Sequence, residues 1–273
     1  MKHFLSIINL SGLLLFCHGA AGVDIVAVRQ PGTSLDTSVR NEVDNARRLA
    51  AEWLIVRQQP DGSWGGTNCN TVLTPMVWLA LKSAESAVDA VRRDRAVVWL
   101  DSQPLAPSTS LDVYTWRLLV VAQALPDSPE RQTRVKALLD AMETPNDRAL
   151  FGRAGEYSRR LRWEVVLPFC VAPAKPSPYD EEAQRMLVTV AQDYPLDTQN
   201  PETFWHFARL INRYGKGVWV RGTEALDWRN DFAQTLINAQ RKDPTGGGYW
   251  NAGTDDDKIR ATAFALLALR EID

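Results

Sequence analysis

The amino-acid sequence predicts an all-α fold of about five helical hairpins, with inner helices wrapped by outer ones. Three observations carry this expectation. Apolar residues recur at three- and four-residue steps; amphipathic segments alternate with segments apolar nearly all round; and that alternation itself repeats along the chain. At 273 residues the chain is long for one domain but ordinary for a single all-helical unit. Its 45% hydrophobic and 23% charged residues assure a sizeable core and exclude disordered, collagen-like and disulfide-dense classes. A formal charge of -2, without a long run of one sign, leaves no electrostatic footprint for nucleic acid or an anionic membrane.

Residues 1–21 have the layout of a signal peptide. Lys2 precedes an apolar stretch from Phe4 to Phe16, and Gly19 and Ala21 are the small residues that place cleavage after Ala21. An uncleaved anchor is the alternative, but the apolar run is shorter than the ~20 residues a membrane span needs. Cys17 follows Leu15 and Phe16 rather than the small residues of a lipoprotein site. The expectation is an extracytoplasmic protein, periplasmic or secreted, with no stable membrane span after cleavage. Cleavage would remove His3, His18 and Cys17, leaving His206, Cys69 and Cys170. A His-rich metal site is thereby excluded, and the two cysteines can either pair or stand as separate thiols.

Residues 22–39, with Pro31 and Gly32 and no helical period, read as an extended arm; residues 40–273 form the repeat domain. From Asn41, the residues Val43, Ala46, Ala50, Trp53 and Leu54 mark an amphipathic helix, and Ala183, Met186, Leu187 and Val190 mark another. Between such helices lie Met76–Leu81, Leu118–Leu125, Val165–Val171 and Ala263–Leu269, apolar on most sides and therefore buried. Aligning the amphipathic helix ends brings Gln58, Gln103, Met142, Gln192 and Gln240 into one column, with steps of 45, 39, 50 and 48 residues. The buried helices align on Thr74, Thr115, Arg162, Thr203 and Thr262. Thr74-Pro75 reads as a helix start, because Thr caps and Pro suits the first helical position.

The first amphipathic helix ends in Gln58-Gln59-Pro60-Asp61-Gly62-Ser63-Trp64, and the last in Gln240 followed by Gly248-Tyr249-Trp250, with four extra residues before the Gly. This Gln-x-x-x-Gly-x-Trp pattern resembles the repeat of squalene cyclases and related prenyltransferase-repeat proteins. The resemblance is strong over Ala46–Ala84 and Pro201–Asp273 and implies an α/α toroid with a central cavity. Six hairpins usually close such a ring, so five leave it smaller, open or completed by the arm. The motif residues Gln58, Gly62, Trp64, Gln240, Gly248 and Trp250 are structural: Gly permits a tight reversal, Trp covers apolar surface and Gln bonds a free helix end.

Candidate chemistry gathers where the buried helices begin. Asp255-Asp256-Asp257 precedes the last of them, where an acidic motif would face the cavity mouth. Beside the Asp-x-Asp-Asp-Thr motif of the cyclases that the chain resembles, it lacks the upstream Asp, has Lys258 in place of Thr and lies in a different context, the last repeat. The same acids also suit a helix start, where they complement the dipole. His206 beside Trp205 is a candidate general base, with Asp256 as its acid partner. Tyr157, Arg162, Glu202, Trp205 and Tyr114 are the expected ligand contacts, and Arg159, Arg160 and Glu156 extend that set. Cys69, Cys170 and His206 lack zinc-site spacing, so no metal and no cofactor is expected. Three functions are compatible with these residues: a ligand-binding or scaffold toroid without cyclase chemistry, a carbohydrate-active enzyme (a polysaccharide lyase or glycosidase), and a terpenoid cyclase. The expected partner is an apolar or carbohydrate ligand in the central cavity.

Overall fold

The structure, a computed structural model, describes residues 34–84, 90–104, 111–124, 128–142, 187–188, 191–192, 194–196, 199–214, 218–251 and 253–273. The expected signal segment, most of the arm, Cys170, Tyr157, Arg162 and the rest of the third buried helix lie outside these residues. The described chain is mostly helical, as expected. Its helices are α1 (Thr37–Ile55), α2 (Asn70–Ser83), α3 (Ala90–Ser102), α4 (Leu111–Ala124), α5 (Pro129–Met142), α6 (Pro201–Tyr214), α7 (Trp228–Ala239) and α8 (Asp255–Ile272). Two small antiparallel ribbons decorate the loops: β1 (Val220–Arg221) with β2 (Glu224–Ala225), and β3 (Arg241–Lys242) with β4 (Gly248–Tyr249).

Two helix starts differ from expectation. α1 begins at Thr37, inside the segment expected to be extended, because the Asp36 carbonyl already accepts from Arg40 N–H at 2.8 Å. α2 begins at Asn70, so Pro75 is interior rather than at the first helical position. Thr74 serves the preceding loop instead of capping: its hydroxyl accepts the Trp64 backbone N–H at 3.0 Å. Thr262, inside α8, accepts the Trp250 N–H at 3.2 Å in the same way. Thr74 and Thr262 therefore mark where α2 and α8 receive the hairpin loops before them.

The repeat motif is built alike at both ends of the chain. Trp64 is fully buried and donates its indole N–H to the Leu54 carbonyl at 2.7 Å; Trp250, 1% exposed, donates to Leu236 at 2.8 Å. Each acceptor lies four residues before the motif Gln, in the last turn of the outer helix, where carbonyls lack helical partners. The Gln58 amide donates to the Arg92 carbonyl of α3 at 2.8 Å, and the Gln240 amide donates to the Ala46 carbonyl of α1 at 2.9 Å. Gly62, at φ +99°, lies so close to α3 that a Cβ would stand 2.7 Å from the Arg95 carbonyl oxygen. In the last hairpin Gly247, at φ +80°, approaches α1 comparably, 2.9 Å from the Leu49 oxygen, while the motif Gly248 leaves room for the Gln240 side chain.

A further pair of equivalent contacts joins these hairpins to their neighbours. Asp61 accepts the N–H and hydroxyl of Ser63, and the nearby indole of Trp99 on α3 also favours its ionised form. Asp243 accepts the N–H and hydroxyl of Thr245 and the indole of Trp53 on α1, the last at 2.8 Å. Arg57 completes this contact, 2.9 Å from Asp243 and stacked 3.7 Å over the Trp53 ring. The last hairpin thus holds the first with the devices by which the first holds α3.

Helices α2, α4, α6 and α8 pack against one another. α2 lies against both α4 and α8, and α8 lies against both α2 and α6. Where they face one another, Trp116 of α4 stacks on Trp205 of α6 at 5.6 Å, and Phe264 of α8 meets both rings at 5.8 and 5.4 Å. All three are buried. Such aromatic contacts add about 0.5–1.5 kcal/mol each beyond the area they bury. The far end of α8 is closed by buried Arg229, which donates to the Glu271 and Ile272 carbonyls and to Asn212.

Two outcomes follow from these contacts. Trp64→Ala and Trp250→Ala are each expected to lower stability by ~3–5 kcal/mol in denaturant melts; an unchanged melt for both would remove the motif's structural role. Hydrogen bonds, first those of the Thr245 hydroxyl and N–H, hold the Asp243 carboxyl well below its ordinary value. Its ionised form therefore stabilises the fold above about pH 4, and the gain is lost as pH falls through the lowered value. Asp243→Asn should melt earlier than wild type at neutral pH and show a shallower fall in melting temperature between about pH 4 and pH 2. Parallel pH profiles would contradict this.

Candidate functional site

The starts of α6 and α8 lie together, and each is shaped by its own first residues. Pro201 opens α6 after Asn200, whose side-chain oxygen accepts the Glu202 N–H at 3.1 Å. α8 opens with a capping box: Thr254 accepts from Asp257 N–H at 3.2 Å, and Asp257 accepts the Thr254 N–H at 3.0 Å. Hydrogen bonds from Thr254 hold the Asp257 carboxyl below its ordinary value.

The three acidic candidates each have a separate structural partner. Asp255 is exposed and sits 3.2 Å from Lys258 one turn along. Asp256 reaches across to the loop before α2, where its Oδ1 accepts the Gly66 N–H at 2.9 Å. Asp256 also touches Cys69, whose thiol is pushed up first by burial and then by this negative neighbour. Cys69 is a free thiol. Asp257 belongs to the capping box. Among the described residues no three of His, Cys, Asp and Glu gather closely enough to hold a metal ion.

His206 is buried one turn inside α6, 3.8 Å from Glu202 and against the Trp205 and Phe264 rings at 4.9 and 6.3 Å. The expected pair Asp256 and His206 thus has different neighbours: Asp256 is tied to the α2 loop, and His206 lies beside Glu202. Trp205 belongs to the aromatic centre, and Tyr114 on α4 is buried.

A cavity of about 660 Å³ opens at these helix starts. Asn200 and Glu202 come from the α6 side, and Asn238 and Arg241 from the end of α7. From α8 come Asp257, Arg260 and Phe264, and Trp250 adds its face. The α8 contributions fall at intervals of three and four residues and so form one stripe of that helix. Of the cavity lining, sequence singles out Glu202 and Asp257 as ligand or catalytic candidates, and Gln240 and Trp250 as structural. Arg241, Arg260, Asn200 and Asn238 were missed, although the stripe through Asp257, Arg260 and Phe264 was readable once α8 was placed. A volume in this range accommodates a small polar molecule.

Compared with models of protein families, with curated proteins and with solved structures, the chain matches none. The site is therefore interpreted from its own residues.

The contact of Asp256 with the α2 loop separates a structural from a chemical role. Asp256→Asn retains an oxygen for the Gly66 N–H and is expected to melt like wild type, whereas Asp256→Ala should lose ~0.5–1.5 kcal/mol. Thermal melts of both variants test this, and equal destabilisation by Asn and Ala would contradict it.

Proposed function

We propose that this chain is a ring of helical hairpins, similar in plan to the squalene cyclase and prenyltransferase-repeat toroids, that binds a polar ligand and does not perform cyclase chemistry. The observation that carries the reading is the engagement of Asp256 in a loop contact and of Asp257 in helix capping, with Asp255 exposed and paired with Lys258. A cyclase acid must be held neutral to give up a proton, whereas the hydrogen bonds around Asp257 favour its ionised form. The equivalent contacts of Gln58 and Gln240 support the ring, since the last hairpin meets α1 as the first meets α3. The packed rings of Trp116, Trp205 and Phe264 leave little room between those three helices for an isoprenoid chain.

The ligand site in this reading is the cavity between α6, α7 and α8. Amides, carboxylates and guanidinium groups beside one or two aromatic faces are the groups that recognise a saccharide's hydroxyls and ring faces. A carbohydrate-active enzyme is the second reading, favoured by one observation: Glu202 lines this cavity with His206 next to it, an acid and a His able to exchange a proton. The compartment in either reading is extracytoplasmic, on the grounds of the signal-like segment.

Purified protein offered a panel of oligosaccharides and isoprenoids is expected to bind a saccharide without turning it over. Turnover abolished by His206→Ala or Glu202→Gln, in variants that still melt cooperatively, would establish the enzyme reading instead. Isoprenoid conversion abolished by Asp256→Asn would overturn both. N-terminal sequencing of protein from its native host is expected to give Gly22, and an intact Met1 on cytoplasmic protein would contradict the compartment.

A further inference from the structure

Charge in the cavity between α6, α7 and α8 is unevenly committed. Of its two carboxylates, Asp257 is bound in the capping box by the N–H and hydroxyl of Thr254, and Glu202 lies beside His206. Its two guanidinium groups, Arg241 and Arg260, donate no side-chain hydrogen bond among the described residues, although both line the cavity and the Arg260 charge also favours the ionised form of Asp257. Arg260 is half-buried on α8, and Arg241 stands on the exposed β3 strand. A guanidinium carries five donors in a fixed fork, and its strongest partners are carboxylate and phosphate oxygens. Asn200 and Asn238 bring amide groups to the same space. Amides suit hydroxyl groups and carry no net charge.

Resting on the binding-module reading, we infer that this cavity takes an acidic sugar, its carboxylate held by Arg260 and Arg241 and its hydroxyls by the neighbouring amides. Arg260 anchors the carboxylate because its helix fixes it, and Arg241 closes on it from the hairpin. Trp250 and Phe264, both buried, back the cavity wall rather than stack on the ring.

Calorimetry with galacturonate and trigalacturonate, with galactose and its neutral oligomers, and with inorganic phosphate tests the assignment. The acidic sugars are expected to bind at least about tenfold tighter than the neutral ones, and added salt should narrow that margin. Arg260→Gln and Arg241→Gln should each weaken acidic-sugar binding by about tenfold while leaving neutral-sugar binding within about twofold. Arg260→Lys keeps the charge without the fork and should fall between wild type and Arg260→Gln. Arg241 is exposed, so its variant reads the site even where the Arg260 variants fold poorly. Neutral sugars bound as tightly as acidic ones, with no effect of either arginine, would overturn the acidic-sugar assignment while leaving the binding module intact. Phosphate bound as tightly as galacturonate, or no binding of any probe, would overturn it as well. Turnover of trigalacturonate would overturn the binding-module reading alone, with the arginine dependence then read in KM.

Discussion

An indole N–H donated to a last-turn carbonyl of an outer helix is the contact on which the rest of this architecture depends. Trp64 meets Leu54 and Trp250 meets Leu236 in this way, and in both cases the tryptophan is almost wholly inaccessible to water. A helix end leaves carbonyls without helical partners, and a buried indole needs an acceptor, so one bond answers both requirements. The backbone N–H of the same tryptophan bonds a threonine hydroxyl on the following helix. Each motif tryptophan therefore ties the end of one helix, α1 or α7, to the body of the next, α2 or α8.

A hairpin of this kind cannot bury its own flanks, so its stability depends on a neighbour, as in other repeat proteins. The first hairpin uses Gln58, Gly62 and Asp61 to hold α3, and the last uses Gln240, Gly247 and Asp243 to hold α1. Glycine is required at Gly62 and Gly247 for two reasons, a left-handed backbone and a distance to the next helix that excludes any Cβ. The Asp243 contact gathers an indole, a guanidinium and a Thr loop on one carboxylate. Its charge is thereby coupled to the meeting of the two ends of the domain.

The same economy shapes the candidate site. Helix starts attract carboxylates because their free N–H groups and dipole favour negative charge. Asp255, Asp256 and Asp257 lie there, and two of them bond backbone N–H groups. Of these only Asp257 lines the cavity, together with Glu202, the amides of Asn200 and Asn238, and Arg241 and Arg260. Recognition by such a lining follows from hydrogen-bond geometry, while the buried aromatic rings behind it set the rigidity of the wall.

Legibility in the sequence followed the range of the interactions. Helix periodicity, the alternation of wet and buried segments and the Gln-Gly-Trp motif are local patterns, and they identified a mostly helical chain and the structural importance of Trp64 and Trp250. The Asp-x-Ser and Asp-x-Thr turns at Asp61 and Asp243 were equally local and went unread, because each looks like an ordinary loop until its distant indole is known. The start of α2 was misplaced because Thr74-Pro75 imitates a cap, while the hydroxyl is used by Trp64, ten residues earlier in the chain. Only the tertiary structure decided that Asp256 serves a loop some 190 residues away and that His206 lies beside Glu202. It alone placed Arg241 and Arg260 on one cavity. The sequence by itself determined which residues must be buried and where the chain must turn, since those depend on hydrophobicity and backbone freedom within a few residues. Which polar groups face one another depends on how separate hairpins dock, and that is settled by packing between parts of the chain that share no local pattern.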